Sequence, residues 1–550
     1  MTAIHKILKL VYQIMSAKIL IILYFNEIIA EVHHMTSGNI LNGNIVHFNP
    51  YKRNMNLLLK EPPLKKGESV LLQKNAVQEL WMEQKLNHFD DKNNETWLMR
   101  YFLNDRYFQT NGPVFIFVGG EWEITPAYLL TGHMHDIAKQ HKGMLYYVEH
   151  RYYGQSWPTS DYEAESLQYL SARQSLADLA HFIRELRTSE GMNSDKRIIL
   201  TGASYSGSLV AWFAKLYPNL VSAGWASSAP LLARKDFYEY MHQVGNVIQH
   251  RGGAACTEKL ESGLVGIANL FESSNASQLL KGLRVCQNFD PTSRLDRAAL
   301  FNAIGNYFAT FAQLYDNQIP NICAALTNKS NGNDLTAFIE FLKQIFWPTH
   351  FERTGYEDFC IDLSYDAMKS IFTDYSDRLG GTQQWFYQSC HEFGWFATTN
   401  TSTKSFVGRK VAASQLPSPR RHEQPSQFQH SFGRQVPLRY FEQLCLDVFG
   451  KLSAASTFKV DDISANIQQT NNYFGGLSAA ATLQQKVIFT HGQLDPWRAV
   501  GVQHGINVIS ITDYTHTADL DSIDFNDSVE MNVAKLKVAA FLRRALRTKT

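Results

Sequence analysis

One serine stands where a strand-like run meets a helix-like run. The apolar run 197–201 leads into Gly202-Ala203-Ser204-Tyr205-Ser206, and apolar residues at helical spacing follow it as far as Tyr217. Small residues around a serine at such a junction are typical of a nucleophile elbow, which holds the hydroxyl above the end of a strand. Ser204 is therefore the candidate nucleophile. Ser206 replaces the usual second glycine, and a tight turn without a catalytic role is the alternative for this segment alone.

The C-terminal part of the chain supplies an acid and a base for this serine. Asp495 follows the β-prone run 486–490, and His516 follows the apolar run 506–511. The order serine, acid, histidine is that of α/β-hydrolases, in which the acid orients the imidazole and the imidazole takes the serine proton. Taken singly, the two residues would be interpreted as a turn-initiating aspartate and a surface histidine. Their order and context favour a catalytic triad.

A glycine pair at the end of another strand-like run could complete the site. Gly119-Gly120-Glu121-Trp122 follows the run 113–118. We expect the Tyr205 N–H and the amide of Gly120 or Glu121 to stabilise an oxyanion, although a simple turn is the alternative. The Glu121 side chain could bind a substrate α-amine, or it could be a structural carboxylate paired with Arg151.

The elements that must position these residues alternate between two types. Strand-like runs lie at 114–118, 144–148, 197–201 and 224–227, and helical runs at 172–188, 295–314, 335–346 and 529–547. Alternation of this kind predicts a parallel sheet covered on both faces. After Pro230 the pattern is helical, and we expect no further parallel strand before Lys486. We therefore predict an α/β-hydrolase fold with a large inserted helical cap.

The chain of 550 residues divides accordingly. We expect a signal peptide and leader at 1–34, a pro-segment or loose lead-in at 35–75, the first part of the hydrolase core at 76–231, the cap at 232–475 with a disordered loop at about 405–437, and the second part of the core at 476–550. The loop is predicted from its Ser, Pro, Arg and Gln content.

The N-terminal segment indicates the secretory pathway. Basic residues precede the apolar run 19–25, as in a secretory signal, although a buried core segment is the alternative. The run is far shorter than the ~20 residues that span a bilayer, and Asn26 interrupts it, so we expect no stable membrane insertion. Asn-x-Ser/Thr sequons, consistent with this route, lie at Asn94, Asn275, Asn328, Asn400 and Asn526.

The six cysteines all lie between the elbow and the Asp495 strand: Cys256, Cys286, Cys323, Cys360, Cys390 and Cys445. An even set confined to one insertion suggests disulfides formed in an oxidising compartment. Many pairings are open, and we favour Cys390 with Cys445 because each flanks a segment containing Phe-Gly. The chain would then be secreted or lysosomal.

Other classes of function have little support. A formal net charge of +1, and aromatic residues without a basic stripe, argue against a nucleic-acid partner. His133, His135 and His141 have no carboxylate or cysteine at ligand spacing to complete a set, so we expect no metal and a helix at this position.

With these residues in view, the chain from about Trp81 onward resembles the serine peptidase family of lysosomal Pro-X carboxypeptidase, dipeptidyl peptidase II and thymus-specific serine protease, with the thymus-specific branch nearest. The segments that carry the resemblance are 84–89, 119–121, 148–156, 202–205, 226–230, 388–394, 494–497 and 516–520. Ser206, Trp122 and Asn87 depart from the family pattern. Trp122 stands where a further glycine is common, and we expect it to narrow the pocket.

The residues and the resemblance together imply a serine exopeptidase that needs no cofactor. We expect it to cleave peptide bonds near chain termini, preferably after proline, through an acyl-enzyme. Whether it cleaves at the amino or the carboxyl end stays open. A carboxyl esterase or lipase on the same fold is one alternative, because a triad does not choose between esters and amides. A non-catalytic peptide-binding protein is another. The resemblance also implies a homodimer.

Overall fold

The structure is a computed structural model. It describes residues 46–49, 51, 61–64, 76–160, 164–189, 196–273, 275–328, 334–347, 359–373, 380–399, 431–450 and 458–547. The predicted signal and leader and most of the lead-in lie outside these residues. The chain divides into two compact units, 1–48 with 348–360 and 49–347 with 361–550. In the described part of the smaller unit, a strand at 46–48 belongs to a two-stranded sheet with a strand that begins at Phe359.

Strands of the described residues are numbered along the chain. They are β1 Val46–Phe48, β2 Gln78–Lys85, β3 Thr96–Asn104, β4 Val114–Val118, β5 Met144–Val148, β6 Ile198–Ala203, β7 Ala223–Ser227, β8 Arg234–Asp236, β9 Phe359–Ile361, β10 Gly394–Phe396, β11 Val487–Gly492 and β12 Val508–Ile511. Eight of them form one sheet in the order β12-β11-β7-β6-β4-β5-β3-β2. In this sheet β3 is antiparallel to both of its neighbours, β2 and β5, and the other neighbouring pairs are parallel.

The central strands β4, β5, β6, β7 and β11 are buried at every residue. Because successive side chains of a strand point to opposite faces, complete burial means that both faces of the sheet are covered. This explains why these strands have near-continuous apolar sequences rather than alternating ones. The predicted parallel sheet is confirmed, and the molecule has the α/β-hydrolase fold.

Helices of the described residues are α1 Ala127–Leu130, α2 His133–Gln140, α3 Ala172–Ser189, α4 Tyr205–Leu216, α5 Tyr238–Gly252, α6 Ala254–Phe271, α7 Ala276–Gly282, α8 Arg294–Leu314, α9 Ile319–Leu326, α10 Asp334–Phe346, α11 Tyr365–Thr373, α12 Thr382–Gln388, α13 Leu438–Phe449, α14 Val460–Phe474, α15 Ala480–Leu483 and α16 Val529–Arg547. A π-helical turn, Ser389–Phe393, continues α12. Among the described helices, none is long and apolar enough to cross a membrane.

Helices α5 to α15 lie in the insertion between β7 and β11, and the last of them, α15, follows the predicted end of the cap at residue 475. The expectation that no parallel strand would occur there is wrong, because β8 and β10 pair in parallel, with Gly394 opposite Arg234 and Phe396 opposite Asp236. Three-residue strands are too short to give a periodic sequence signal.

The predicted disordered loop lies mostly outside the described residues, but its last part, 431–437, is described. Phe432 and Val436 are buried there. The Thr399 N–H donates to the Val436 carbonyl at 3.0 Å, and the Val436 N–H donates to Thr399 Oγ1 at 2.9 Å. Thr399 and Val436 therefore lie side by side, although they are 37 positions apart in the sequence.

Disulfides connect the helices of the insertion. Cys256 in α6 bonds Cys323 in α9, and Cys390 bonds Cys445 in α13, as we expected. The other two cysteines are disulfide-bonded as well. The described sequon asparagines are all exposed: Asn94, Asn275, Asn328 and Asn526. Asn400 lies outside the described residues.

The turn between β6 and α4 has the strained geometry of an elbow. Ser204 has φ +56° and ψ −130°, a backbone conformation that residues other than glycine rarely adopt. A Cβ on Gly202 would lie 2.4 Å from the Ser206 carbonyl oxygen, so the helix can approach the strand only at a glycine. Ser206 Oγ donates to the Ala203 carbonyl at 2.9 Å and accepts from the Ala203 N–H at 2.8 Å. The serine that replaces the second glycine thus fixes the turn.

We predict that Gly202→Ala lowers the free energy of unfolding by about 1–3 kcal/mol, because backbone atoms must move to admit the new methyl group. Chemical denaturation would measure the change. Gly282→Ala is the control, since the nearest atom to its Cβ would be 3.8 Å away. Equal losses in both variants would contradict the steric explanation.

Removing the Cys390–Cys445 disulfide by a double Cys→Ser substitution should cost about 2–4 kcal/mol of unfolding free energy, because the bond closes a loop of 55 residues. The Cys256–Cys323 pair, with a separation of 67 residues, should give a similar loss, since closure entropy changes slowly with loop length. Denaturation under non-reducing conditions would test both. A loss in the second pair alone would argue against the entropic explanation.

Candidate active site

The predicted site residues follow parallel strands and lie at the carboxyl end of the sheet. Ser204 follows β6, Asp495 follows β11 and His516 follows β12, while Gly120 and Glu121 follow β4. Carboxyl ends of parallel strands lie side by side, and functional groups collect at this edge in α/β folds. These residues therefore lie at the same end of the sheet, and a direct contact joins Asp495 to His516.

Asp495 and His516 are joined by a buried hydrogen bond. Asp495 is fully buried, and its Oδ1 lies 2.8 Å from His516 Nδ1. The same oxygen accepts the Trp497 N–H at 2.9 Å, which caps the short 3₁₀ helix Pro496–Val500. Burial raises the pKa of Asp495, but the charge and hydrogen bond of His516, together with the nearby His491 ring, outweigh it and hold this pKa well below its usual range. The acid is ionised at any physiological pH.

The other ring nitrogen of His516 points into a buried space. His516 Nε2 is shielded from solvent and has no hydrogen-bond partner among the described residues, Ser204 included. The Ser204 side chain is itself buried, with 7% exposure of the residue. Since Asp495 accepts from Nδ1, Nε2 carries the free lone pair. Catalytic hydrogen bonds often tighten only when substrate is bound.

The loop that carries His516 is fixed by two serines of β7 and its end. Thr517 has a positive φ of 54°, and its N–H donates to Ser228 Oγ at 2.9 Å. Ser227 Oγ donates to Asp519 Oδ1 at 2.6 Å, and the Ser227 carbonyl accepts the Ser204 N–H at 2.9 Å. These contacts were not predicted, although both segments carried the family resemblance. They link the histidine loop to the elbow.

His491 is a second unpredicted member of the site. It is buried at the end of β11, and its Nδ1 lies 3.8 Å from Asp495 Oδ2. A Cβ on Gly501 would lie 2.4 Å from His491 Cε1, so this glycine gives the ring its space. His491 could have been suspected from its position four residues before the aspartate.

The candidate oxyanion donors lie on α4 and on the β4 loop. Tyr205 is the first residue of α4, where backbone N–H groups have no partner within the helix. A Cβ on Gly120 would lie 2.7 Å from the Trp122 ring, which sits directly beneath it. Trp122 belongs to the core, with its Nε1 donating to Tyr147 Oη at 2.9 Å. The expectation that Trp122 narrows the pocket is therefore not supported.

One oxygen of the Glu121 carboxyl group is buried without a hydrogen-bond partner among the described residues. The residue is 6% exposed, and its Oε2 has no hydrogen bond among the described residues. The predicted structural alternative, a pair with Arg151, is wrong, because Arg151 Nε and Nη2 each donate to an Asp178 oxygen at 2.7 Å. Burial raises the pKa of Glu121 to about 8.

A polar network surrounds the Tyr205 hydroxyl. Gln388 Nε2 donates to Tyr205 Oη at 3.0 Å and to Glu392 Oε2 at 2.9 Å. His150 Nε2 lies 3.1 Å from the same hydroxyl. Burial raises the pKa of Glu392 to about 7 and lowers that of His150 to about 4. Segment 388–394, which carries part of the family resemblance, thus hydrogen-bonds the side chain of Tyr205, the residue next to Ser204.

Aromatic side chains stand beside His516. The Trp497 and His516 ring centroids are 6.4 Å apart, and Trp395 meets Trp497 edge to face at 5.5 Å. Two further rings contact Trp497: Phe237, which immediately precedes α5, and Tyr240, which lies in α5. The insertion therefore contributes an apolar wall next to the candidate base.

The predicted histidine helix is confirmed as α2. His133 Nε2 lies 2.8 Å from the Lys535 carbonyl, and His135 Nδ1 lies 3.2 Å from Asp136. Burial lowers the pKa of His133. These rings serve packing between α2 and α16.

The chain is similar to several known proteins. The chain is 28% identical to the thymus-specific serine protease of Mus musculus over 482 residues, which is 84% of this chain and 86% of that protein. It is 25% identical to the lysosomal Pro-X carboxypeptidase of Homo sapiens over 481 residues, 83% of this chain and 86% of that protein. The solved acylaminoacyl peptidase of Pyrococcus horikoshii is 16% identical, with a TM-score of 0.22 over 32% of this chain and 26% of that one.

The family profile matches most of the chain. It is described as serine carboxypeptidase S28 and covers residues 84–418 and 423–538. It includes the elbow, the insertion and the two C-terminal strands. The chain is a serine hydrolase of the peptidase type and belongs to the serine carboxypeptidase S28 family.

Proposed function

We propose that the protein is an exopeptidase that cleaves near chain termini, preferably after proline, with Ser204, His516 and Asp495 as its triad. The observation that carries this proposal is the buried Asp495–His516 hydrogen bond, which leaves His516 Nε2 as an unpartnered acceptor at the same sheet edge as the elbow. Asp495 fixes the tautomer with the proton on Nδ1, so that Nε2 can accept the Ser204 proton.

The reaction proceeds in two halves. Ser204 Oγ attacks the scissile carbonyl carbon as its proton moves to His516 Nε2, and the imidazolium then protonates the leaving amine as the C–N bond breaks. Water hydrolyses the acyl-enzyme by the same proton path in reverse. The Tyr205 N–H and the N–H of Gly120 or Glu121 donate to the oxyanion in both halves. No cofactor takes part.

A preference for proline is supported by the wall next to His516. Trp497 is held by its Nε1, which donates to Gln313 Oε1 at 2.9 Å, and Tyr240 Oη donates to the same oxygen at 2.7 Å. A rigid aromatic surface suits a flat apolar ring such as pyrrolidine. The residues that build it come largely from the helical insertion, which favours access by chain ends over internal loops.

We predict that a fluorophosphonate probe labels the wild-type protein and that Ser204→Ala abolishes the label and at least 99% of peptidase activity, since no other group supplies the nucleophile. Ser262→Ala is the control and should keep the label, because this exposed serine lies on α6, where its hydroxyl donates to the Glu258 carbonyl at 2.7 Å. Labelling that survives in Ser204→Ala would exclude this serine.

The substrate class is tested in the same preparation. Peptides with proline at the second position from either end, their alanine counterparts and p-nitrophenyl esters would be compared by kcat/KM. Proline peptides should be preferred over alanine peptides by about tenfold or more, the value expected from a well-filled apolar pocket. Hydrolysis of esters without peptides would instead indicate a carboxyl esterase.

We also propose that the protein works in a secretory compartment, secreted or lysosomal, as its disulfides suggest. Buried acids with raised pKa values support an acidic setting. Burial raises the pKa of Glu121 to about 8 and that of Glu392 and Glu61 to about 7. Such groups stabilise the fold while protonated, and the unfolded chain releases their protons first as the pH rises.

We therefore predict that these acids lower the melting temperature between pH 5 and pH 8, the window between the ordinary and the raised carboxyl pKa values. The buried His150, whose pKa is lowered to about 4, offsets part of this decline below about pH 6.5. Glu392→Gln should flatten this decline, because it removes one of the protons. Glu123→Gln is the control, since this glutamate is partly exposed and paired with Arg100. Thermal scans across the window would measure both, and an unchanged slope in Glu392→Gln would contradict the assignment.

A further inference from the structure

We infer that Glu121 is the binding group for the α-ammonium of a peptide substrate, which makes the enzyme one that acts from the amino end of peptides. The inference rests on the proposed function. Glu121 follows the glycine pair of the β4 loop, is nine-tenths buried and has an oxygen without a partner among the described residues. Burial raises the pKa of the Glu121 carboxyl group to about 8, so the group is largely neutral in the free enzyme, and an ammonium beside it would stabilise its ionised form.

Glu121 lies on the β4 loop, which packs against the start of α12. A Cβ on Gly381 would lie 3.0 Å from the Glu121 carbonyl oxygen and 3.0 Å from Tyr153 Cδ1. Tyr153 and Tyr205 both hydrogen-bond the Gln388 amide, which links this region to the residue after the nucleophile. An amine held at Glu121 would therefore lie at the same carboxyl end of the sheet as the nucleophile.

Neither tyrosine is free to donate to Glu121. Tyr153 Oη donates to Gln388 Oε1 at 2.7 Å. His150 Nδ1 lies 2.7 Å from the Arg151 carbonyl and must carry a proton, so its Nε2 accepts the Tyr205 hydroxyl proton at 3.1 Å. The hydroxyl hydrogens are thus used within the network, which leaves the Glu121 oxygen for a donor from outside the described protein.

The charges around Tyr205 favour an ammonium over a carboxylate. Glu121 and Glu392 both act on this tyrosine, and both are acids. The nearby cation Arg151 is neutralised by its paired contacts to Asp178. His150 is neutral, since burial lowers its pKa to about 4. Among these residues a substrate carboxylate would find no uncompensated cation, whereas an ammonium supplies three donors and stabilises the ionised form of Glu121.

The test compares substrates that differ only at the amine. Xaa-Pro-7-amido-4-methylcoumarin with a free amine and its N-acetylated counterpart would be assayed with the wild type and Glu121→Gln. The wild type should prefer the free amine. Glu121→Gln should lose about tenfold to a hundredfold in kcat/KM on the free amine, the value of a charge-assisted hydrogen bond, and less than about threefold on the acetylated substrate.

Two controls separate this inference from the proposed function. Glu123→Gln makes the same change two residues along the loop, where the side chain contacts Arg100, and should leave the ratio of the two substrates unchanged. Fluorophosphonate labelling of Ser204 reports the nucleophile independently of the amine. Failure of the probe to label the wild-type protein would contradict the proposed function, whatever the substrate preference shows about Glu121.

Equal losses on both substrates, with labelling intact, would overturn the inference and leave the peptidase assignment standing. A larger loss on peptides with a free carboxyl terminus than on their amides would also overturn it, because a protonated Glu121 would then be donating to the other end of the peptide. Loss confined to the free-amine substrate, with Glu123→Gln unaffected, supports it.

Discussion

The carboxyl edge of the sheet depends on a negative charge that has no contact with water. Asp495 is completely buried, and isolating such a charge would cost several kcal/mol without compensation. Its compensation comes from His516, from the Trp497 N–H and from the nearby His491 ring. Because these groups belong to three different turns, stabilising the one charge also fixes the positions of the β11 end, the 3₁₀ helix and the histidine loop.

The sequence allowed the central sheet to be predicted because burial on both faces leaves an uninterrupted apolar run, as in Val114–Val118 and Met144–Val148, which match β4 and β5 residue for residue. The hairpin of β2 and β3 was not predicted. At the sheet edge β2 is half exposed, and its sequence Gln-Glu-Leu-Trp-Met-Glu-Gln-Lys mixes polar and apolar residues without clear alternation. Edge strands are specified by their neighbour more than by their own pattern.

The candidate triad residues could be chosen from order and strand context alone, but the groups that hold them could not. Ser227 contacts Asp519 across 292 positions of sequence, and Ser228 contacts Thr517 across 289. The position of Trp122 in the sequence suggested a residue that lines the pocket, whereas its indole N–H donates a hydrogen bond in the core. Such choices are decided by packing against distant segments, which no local pattern records.

The paired hydrogen bonds between Thr399 and Val436 have a consequence for variation of the chain between them. Because these two residues lie side by side, a change in the number of residues between positions 400 and 430 need not alter the distance between them, and closure entropy changes only slowly with length. Length there is uncoupled from the geometry of the helices on either side. Related genes can diverge at this place at little thermodynamic expense, and a reporter peptide could be inserted there for the same reason.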